Sequence, residues 1–259
     1  MLLQASLLDV GRSGRRVIKG VNFDLRAGEV VGLIGPNGAG KSTLLEALAG
    51  LSAETSGDIK VNGQPIEGFN RTSLARTRAY LAQDADIHWP LLVEKLVELG
   101  RLPHGRGTSA EDRCAVAQAM AVTDIESIAA RCVNELSGGE AMRVAIARLL
   151  AVEAPLLLLD EPIAGLDPRY QLEILNILKS QAKSGCGIVL VLHDLELAAR
   201  YCDKLVLLKD GEVFSEGSPE SVLSVDSLAR VYGVDAEVDF RESLPRIRLL
   251  DITAQSGHS

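Results

Sequence analysis

Glu29-Val-Val-Gly-Leu-Ile-Gly35-Pro36-Asn37-Gly38-Ala39-Gly40-Lys41-Ser42 runs from an apolar strand into a glycine-rich turn that closes on a lysine and a serine. The pattern is G-x-x-x-x-G-K-[ST], and each part has a mechanical reason. Glycines let the backbone curl so that successive N–H groups point at phosphate oxygens. A helix starting near Ser42 adds its N-terminal dipole and free N–H groups. Lys41 brings positive charge to the β- and γ-phosphates, and Ser42 offers a hydroxyl to Mg²⁺. A plain glycine-rich turn is the competing reading, and the strand before and helix after favour the phosphate loop.

Two more apolar runs end in polar groups. Leu156-Leu-Leu-Leu-Leu-Asp160 is a buried strand closing on a carboxylate, and Ile188-Val-Leu-Val-Leu-His193 closes on a histidine. Continuous apolar strands alternating with helices indicate a largely parallel sheet covered on both faces. Such sheets bind ligands at the carboxyl ends of their strands. Beside a phosphate loop, Asp160 is the expected Mg²⁺ partner, and Glu161 can hold and polarise an attacking water. No N-K-x-D element for reading guanine occurs, which favours ATP over GTP.

The middle of the chain reads differently. From about Ile87 to Val152 the periodicity is helical, with Leu92, Leu96 and Leu99 and then Met142, Ile146, Leu149 and Leu150 at helical spacing. The opening segment, up to about Gly63, alternates and turns on glycines, as an antiparallel edge does. The last forty residues hold Pro219, Pro245 and a polar end, Ala254 to Ser259, expected to fray. No internal repeat is found.

Composition narrows the function. A length of 259 residues, 47% hydrophobic and 24% charged, is ordinary for a globular chain with a real core, which excludes bulk disorder. A net charge of −8 and only 3% aromatics argue against a general nucleic-acid binder. The cysteines, Cys114, Cys132, Cys186 and Cys202, lack C-x-x-C spacing and are expected to be buried, reduced thiols. The N-terminus reads as a strand rather than a signal peptide, and no apolar run approaches a membrane span.

Leu136-Ser137-Gly138-Gly139-Glu140, lying between the phosphate loop and Asp160-Glu161, completes a constellation that resembles the nucleotide-binding subunit of ABC transporters. The resemblance covers nearly the whole chain, with its elements in order. It implies an α/β fold: a P-loop NTPase (RecA-like) core with an antiparallel β edge and an inserted α-helical subdomain. The implied division is 1–86 and 153–220 for the catalytic core, 87–152 for the helical signature subdomain and 221–259 for a C-terminal extension. By the same resemblance Gly35 to Ser42, with Thr43 following, is the Walker A loop and Asp160 ends Walker B. Glu161, His193 and Gln83 form the catalytic set; Ser42, Gln83 and Asp160 face the metal; Asp167 belongs to the D-loop. Ser137, Gly138, Gly139 and Glu140 then cap the ATP held by a second, head-to-tail copy of the chain. Read alone, Ser137 with Glu140 three residues on is also a helix capping box, and Asp167 before Pro168 an N-cap.

A narrower resemblance links Leu92 to Leu102, Pro103 and His104, Leu190 to Tyr201, and Val231 to Val234 with ATPases of iron-siderophore, haem and vitamin B12 importers. It implies ATP hydrolysis at the cytoplasmic face of the membrane, polytopic permease subunits as partners, and a periplasmic or lipoprotein substrate-binding protein upstream. An ABC exporter ATPase or a soluble non-transport ABC ATPase are the competing functions. Asp86, Ile87, His88, Trp89 and Pro90 are expected to line the permease groove, with core packing the other reading for Trp89. Three departures from the family pattern stand out. Arg12 occupies the place of the usual adenine-stacking aromatic, Ala141 and Met142 follow the signature where polar residues are common, and Leu91-Leu-Val-Glu94 replaces a Thr-Val-Arg-Glu stretch.

Overall fold

The computed structural model describes residues 1–83, 90–105, 109–241 and 244–253. The chain divides into two compact units. The first contains Met1–Gln4, Asp24–Glu29 and Ile59–Leu190; the second contains Ala5–Phe23, Val30–Asp58 and Val191–Ser259.

Strands β1 (Leu3–Arg12), β2 (Arg15–Leu25) and β4 (Thr55–Val61) fall mostly in the second unit, with β1 between the other two. β1 alternates buried and more exposed residues on either side of Leu7, where a φ of 48° shifts the phase. The core strand β3 (Val30–Ile34) is buried throughout and pairs in parallel with β9 (Lys204–Lys209), which pairs antiparallel with β10 (Glu212–Gly217). Helix α1 (Lys41–Leu48) follows β3. Helices α7 (Leu195–Tyr201), α8 (Pro219–Val222) and α9 (Val225–Tyr232) precede a two-stranded antiparallel ribbon, β11 (Val234–Asp239) with β12 (Arg246–Ile252).

In the first unit β7 (Leu156–Asp160) lies between β6 (Arg78–Leu81) and β8 (Gly187–Val191), and β6 runs parallel to β7. The end of β4 pairs antiparallel with β5 (Gln64–Pro65). Helix α2 (Arg71–Thr77) leads into β6, and α6 (Pro168–Lys183) connects β7 to β8. The middle segment is helical, as the periodicity predicts: α3 (Val93–Glu98), a 3₁₀ turn over Leu99–His104, α4 (Ala110–Val122) and α5 (Gly138–Leu150). Among its described residues, β pairing is limited to a single bridge, Leu92 with Cys132. Leu96, Val97, Val116, Ile125, Val144 and Ala147 form its core.

Some sequence expectations need correction. Leu96 is buried, but Leu92 and Leu99 are 40% and 41% exposed, because Val93 and Val97 share the inward face with Leu96. All four cysteines are free, yet only Cys202 is buried; Cys132 and Cys186 are half-buried and Cys114 is exposed. Cys114 lies on the outer face of α4, whose inner face is Ala115, Val116 and Ala119. The C-terminal ribbon carried no clear sequence signal. Ala254 to Ser259, and Asp86 to Trp89 of the expected permease groove, lie outside the described residues, whereas Pro90 is described and exposed.

Leu96 is 2% exposed at the centre of the helical core. Leu96→Ala is expected to lower unfolding free energy by about 2–5 kcal/mol, read by urea denaturation.

Candidate functional site

In the second unit, β3 ends at Ile34 and α1 begins at Lys41, so the phosphate loop is the whole connection. Gly38 and Gly40 take φ of 81° and 98°, conformations only glycine adopts freely, and these bend the loop back on itself. Gly40 is the N-cap of α1 and has no side chain to offer the helix's leading N–H groups. The positive end of the helix dipole lies at the same place. Lys41 is 6% exposed, and its ammonium donates to the carbonyls of Gly35 (2.8 Å) and Pro36 (3.1 Å). The cation is therefore held over the loop that would receive phosphate oxygens. Thr43 is buried one turn into the helix and lines a recess of about 200 Å³ together with Arg12, Ser13, Glu46 and Glu54. The structure thus brings Arg12 to the phosphate-loop helix.

His193 joins the same unit. The N–H of Leu192 donates to the carbonyl of Leu33 (3.2 Å), two residues before the loop, and Asp194 caps α7 through Leu197 N–H (2.8 Å). His193 is exposed between these two anchors.

In the first unit, Asp160 closes β7 and is 4% exposed. Glu161 follows at φ 50°, a left-handed backbone that costs a non-glycine residue about 1–3 kcal/mol. Buried Pro162 and Ile163 anchor the turn. Gln83, at the end of β6, donates from Nε2 to Oε2 of Glu161 at 3.1 Å. Two residues seventy-eight positions apart in sequence, both nominated for catalysis, are in direct contact.

The signature opens α5. Ser137 is its N-cap, and the capping box is complete: Ser137 Oγ accepts from Glu140 N–H (3.3 Å), and Ser137 N–H donates to Glu140 Oε2 (2.9 Å). The Ser137 hydroxyl also donates to Glu140 Oε2 (2.9 Å), and Arg131 Nη1 donates to Oε1 (2.9 Å). The capping-box reading of Ser137 and Glu140 is therefore met in full. The Ser137 backbone and hydroxyl bonds, with Arg131 charge, hold the Glu140 carboxyl below the usual carboxylate range. Nothing lies within 4 Å of where a Cβ on Gly138 would stand, whereas one on Gly139 would strike the Tyr170 ring at 2.6 Å. Asp167 occupies the N-cap of α6 without a side-chain bond to it.

The sequence reading missed three contributors. Arg131 neutralises Glu140. Tyr170 buttresses Gly139, with the Arg143 guanidinium 5.6 Å from its ring centroid. Tyr232 hydrogen-bonds the backbone of Gly35; burial pushes its hydroxyl far above the usual tyrosine range, against that bond. Only Tyr232 lay in a quoted segment, and local pattern gave it no role.

The donors nominated for a cation are the Ser42 hydroxyl, the Gln83 amide and the Asp160 carboxylate. All are hard oxygen donors with a single full charge, which fits Mg²⁺ completing its shell with phosphate oxygens and water.

Known proteins match this chain closely. A family described as ABC transporter matches residues 18–164. The hemin import ATP-binding protein HmuV of Streptomyces coelicolor is 46% identical over 239 residues, covering 92% of this chain and 85% of that protein. The cobalamin import ATP-binding protein BtuD of Halobacterium salinarum is 43% identical over 240 residues, covering 92% of this chain and 60% of that protein. The solved structure of an ATP-binding subunit of an ABC transporter superposes with TM-score 0.76 at 30% identity, over 89% of this chain and 92% of that one. A dimeric bacterial ABC transporter cassette superposes with TM-score 0.75 at 29% identity, over 84% and 99%.

Because Glu140 titrates low, its contribution to stability is full above the ordinary glutamate value of about 4.3 and is lost as pH falls through its folded-state value. The stability gap between wild type and Glu140→Gln is expected to be constant above that pH and to shrink below it. Thermal unfolding from pH 7 to pH 3 checks this, and a gap that widens on acidification contradicts it.

Proposed function

The chain belongs to the ABC transporter family as an ATP-hydrolysing subunit, and from that premise we propose that it drives an importer of haem- or cobalamin-type chelates. The cargo reading rests on the named import functions of its relatives over 92% of the chain. Iron-siderophore complexes belong to the same chemical class. Two copies pair head to tail beneath polytopic permease subunits, at the cytoplasmic face of the membrane, and a substrate-binding protein outside delivers the cargo. Among the described residues no helix is long and apolar enough to cross a membrane. The working division is a catalytic core of 1–86 and 153–220, a helical signature subdomain of 87–152 and an extension of 221–259.

The observation that carries hydrolysis is the contact between Gln83 and Glu161. In the proposed mechanism backbone N–H groups between Gly38 and Thr43 and the Lys41 ammonium grip the β- and γ-phosphates. Lys41 exchanges its bonds to Gly35 and Pro36 for phosphate oxygens. Mg²⁺, when bound, would neutralise phosphate charge, held by Ser42, Gln83 and Asp160. Glu161 takes a proton from the attacking water, and the Gln83 amide orients that carboxylate. His193 contacts the γ-phosphate, and Arg12 stacks on the adenine in place of an aromatic ring. Ser137, Gly138 and Gly139 of the other copy close over the γ-phosphate, and Asp167 crosses the pair's interface. Each ATP is thus completed only in the dimer, and hydrolysis reopens it.

Glu161→Gln keeps the shape and the contact with Gln83 but removes the base. It is expected to retain ATP affinity, to lower kcat by about a hundredfold or more, and to accumulate an ATP-bound dimer. Turnover assays with sedimentation in ATP read all three. Normal turnover by this variant removes Glu161 from the role of base.

A further inference from the structure

The segment Gly100-Arg101-Leu102-Pro103-His104 takes no part in the ATP chemistry above, yet it is tied to the end of α5 by unusually costly contacts. Arg101 is 4% exposed. Its Nε donates to Asp112 Oδ1 at 2.9 Å, and its Nη1 donates to the carbonyl of Ala151 at 2.8 Å and to Glu153 Oε2 at 2.6 Å. Asp112 is itself buried and closes the capping box of α4 with Ser109. His104 Nε2 bonds the carbonyl of Val152 at 2.8 Å. A Cβ on residue 100 would lie 2.3 Å from the Arg148 carbonyl, so only glycine lets this turn press on the last turn of α5. Glu153, the residue the clamp grips, sits at φ 55°.

Three of these contacts fall on Ala151, Val152 and Glu153, in the linker 151–155 from α5 to β7, while the others reach Asp112 of α4 and Arg148 of α5. Helix α5 starts at the signature, and β7 ends at Asp160 and Glu161. The linker also borders a cavity of about 370 Å³ lined by Ala119, Val122, Leu150, Glu153, Pro155 and Leu157 among others. Close packing therefore does not fix it on every side, and directed bonds must.

We propose that Gly100, Arg101 and His104 are positioning residues that clamp the linker and so set where Ser137 to Gly139 stand relative to Asp160 and Glu161. The proposal rests on the reading of the signature as the second half of a partner's ATP site. A buried arginine reaching three acceptors in a fixed fork is a rigid spacer, which a lysine cannot replace. Loosening it leaves the phosphate loop's own contacts untouched but misplaces the signature, and small misplacements are costly when two chains must close on one nucleotide.

The test separates positioning from stability. Arg101→Met combined with Asp112→Asn removes both buried charges together and leaves neither stranded. The expected result is a melting temperature near wild type, unchanged affinity of the monomer for a fluorescent ATP analogue, and kcat lowered by roughly ten- to a hundredfold. In the Glu161→Gln background the same pair is expected to weaken ATP-driven dimerisation measured by sedimentation. Wild-type kcat and dimerisation in a stably folded double variant overturn the proposal. If that variant fails to fold, His104→Phe, which removes only the bond to Val152, takes its place. Lower kcat at unchanged analogue affinity supports the clamp, and wild-type kcat overturns it. Failure of Glu161→Gln alone to dimerise in ATP overturns the head-to-tail reading and the clamp with it. Dimerisation of Glu161→Gln that the Arg101 change leaves intact overturns the clamp alone.

Discussion

The leading N–H groups of an α-helix have no partner inside the helix, and a chain must either cap them or lend them to a ligand. This chain caps most of its helices with its own side chains: Asn70 on α2, Ser109 on α4, Asp194 on α7, Ser218 on α8 and Ser224 on α9. Helix α1, like α3 and α6, has no side-chain cap. Its N-cap is Gly40, which has nothing to give. The loop before it is bent by glycines at positive φ, and the Lys41 ammonium is held on two of its carbonyls. A glycine N-cap with a lysine cation beside it suits an anion bearing several oxygens, which can meet helix N–H groups and cation together.

Helix α5 solves the same problem differently. Ser137 and Glu140 cap one another, and Arg131 balances the carboxylate. If the signature is to grip a partner's phosphate, the Ser137 hydroxyl must turn from Glu140 to the phosphate, while Ser137 N–H keeps its bond to Oε2. One charge-assisted bond is exchanged for another, so the net gain is small. A small net gain would suit the proposed contact, which forms with ATP and releases after hydrolysis. The exposed Gly138 and the Tyr170-backed Gly139 fit the same purpose, one open to approach and the other held rigid from behind.

What was legible in the sequence is what is local. The phosphate loop, the apolar strand ending at Asp160 and the capping box at Ser137 each fit within about a dozen residues, so periodicity and spacing located them before any fold was known. The helical insertion was legible for the same reason. The contact of Gln83 with Glu161 spans the β6 and β7 ends, and only the resemblance to a family, not the residues themselves, placed both at one site. The segment around Arg101 stood out in the sequence only through the narrower resemblance, which gave Arg101 itself no role. Its partners lie 11, 50 and 52 residues away, and a lone arginine in a helical segment reads as a solvated surface residue. The exposure of Cys114 and Leu92 escaped for a related reason: a short helix has several apolar residues and only its packing shows which face turns inward.

Glu161 shows why chemistry and fold are coupled at this point in the chain. A strand that ended in an ordinary turn would let the carboxylate follow the backbone into solvent. Here the residue is forced to a left-handed φ of 50°, and buried Pro162 and Ile163 hold the strain in place. The Ala164 N–H then bonds back to the Glu161 carbonyl at 3.1 Å, closing the turn. With its backbone fixed on both sides and its carboxylate met by the Gln83 amide, Glu161 has little freedom left. In the proposed role of general base, Glu161 would gain most from being oriented before the water arrives, and the cost of that orientation was met when the chain folded.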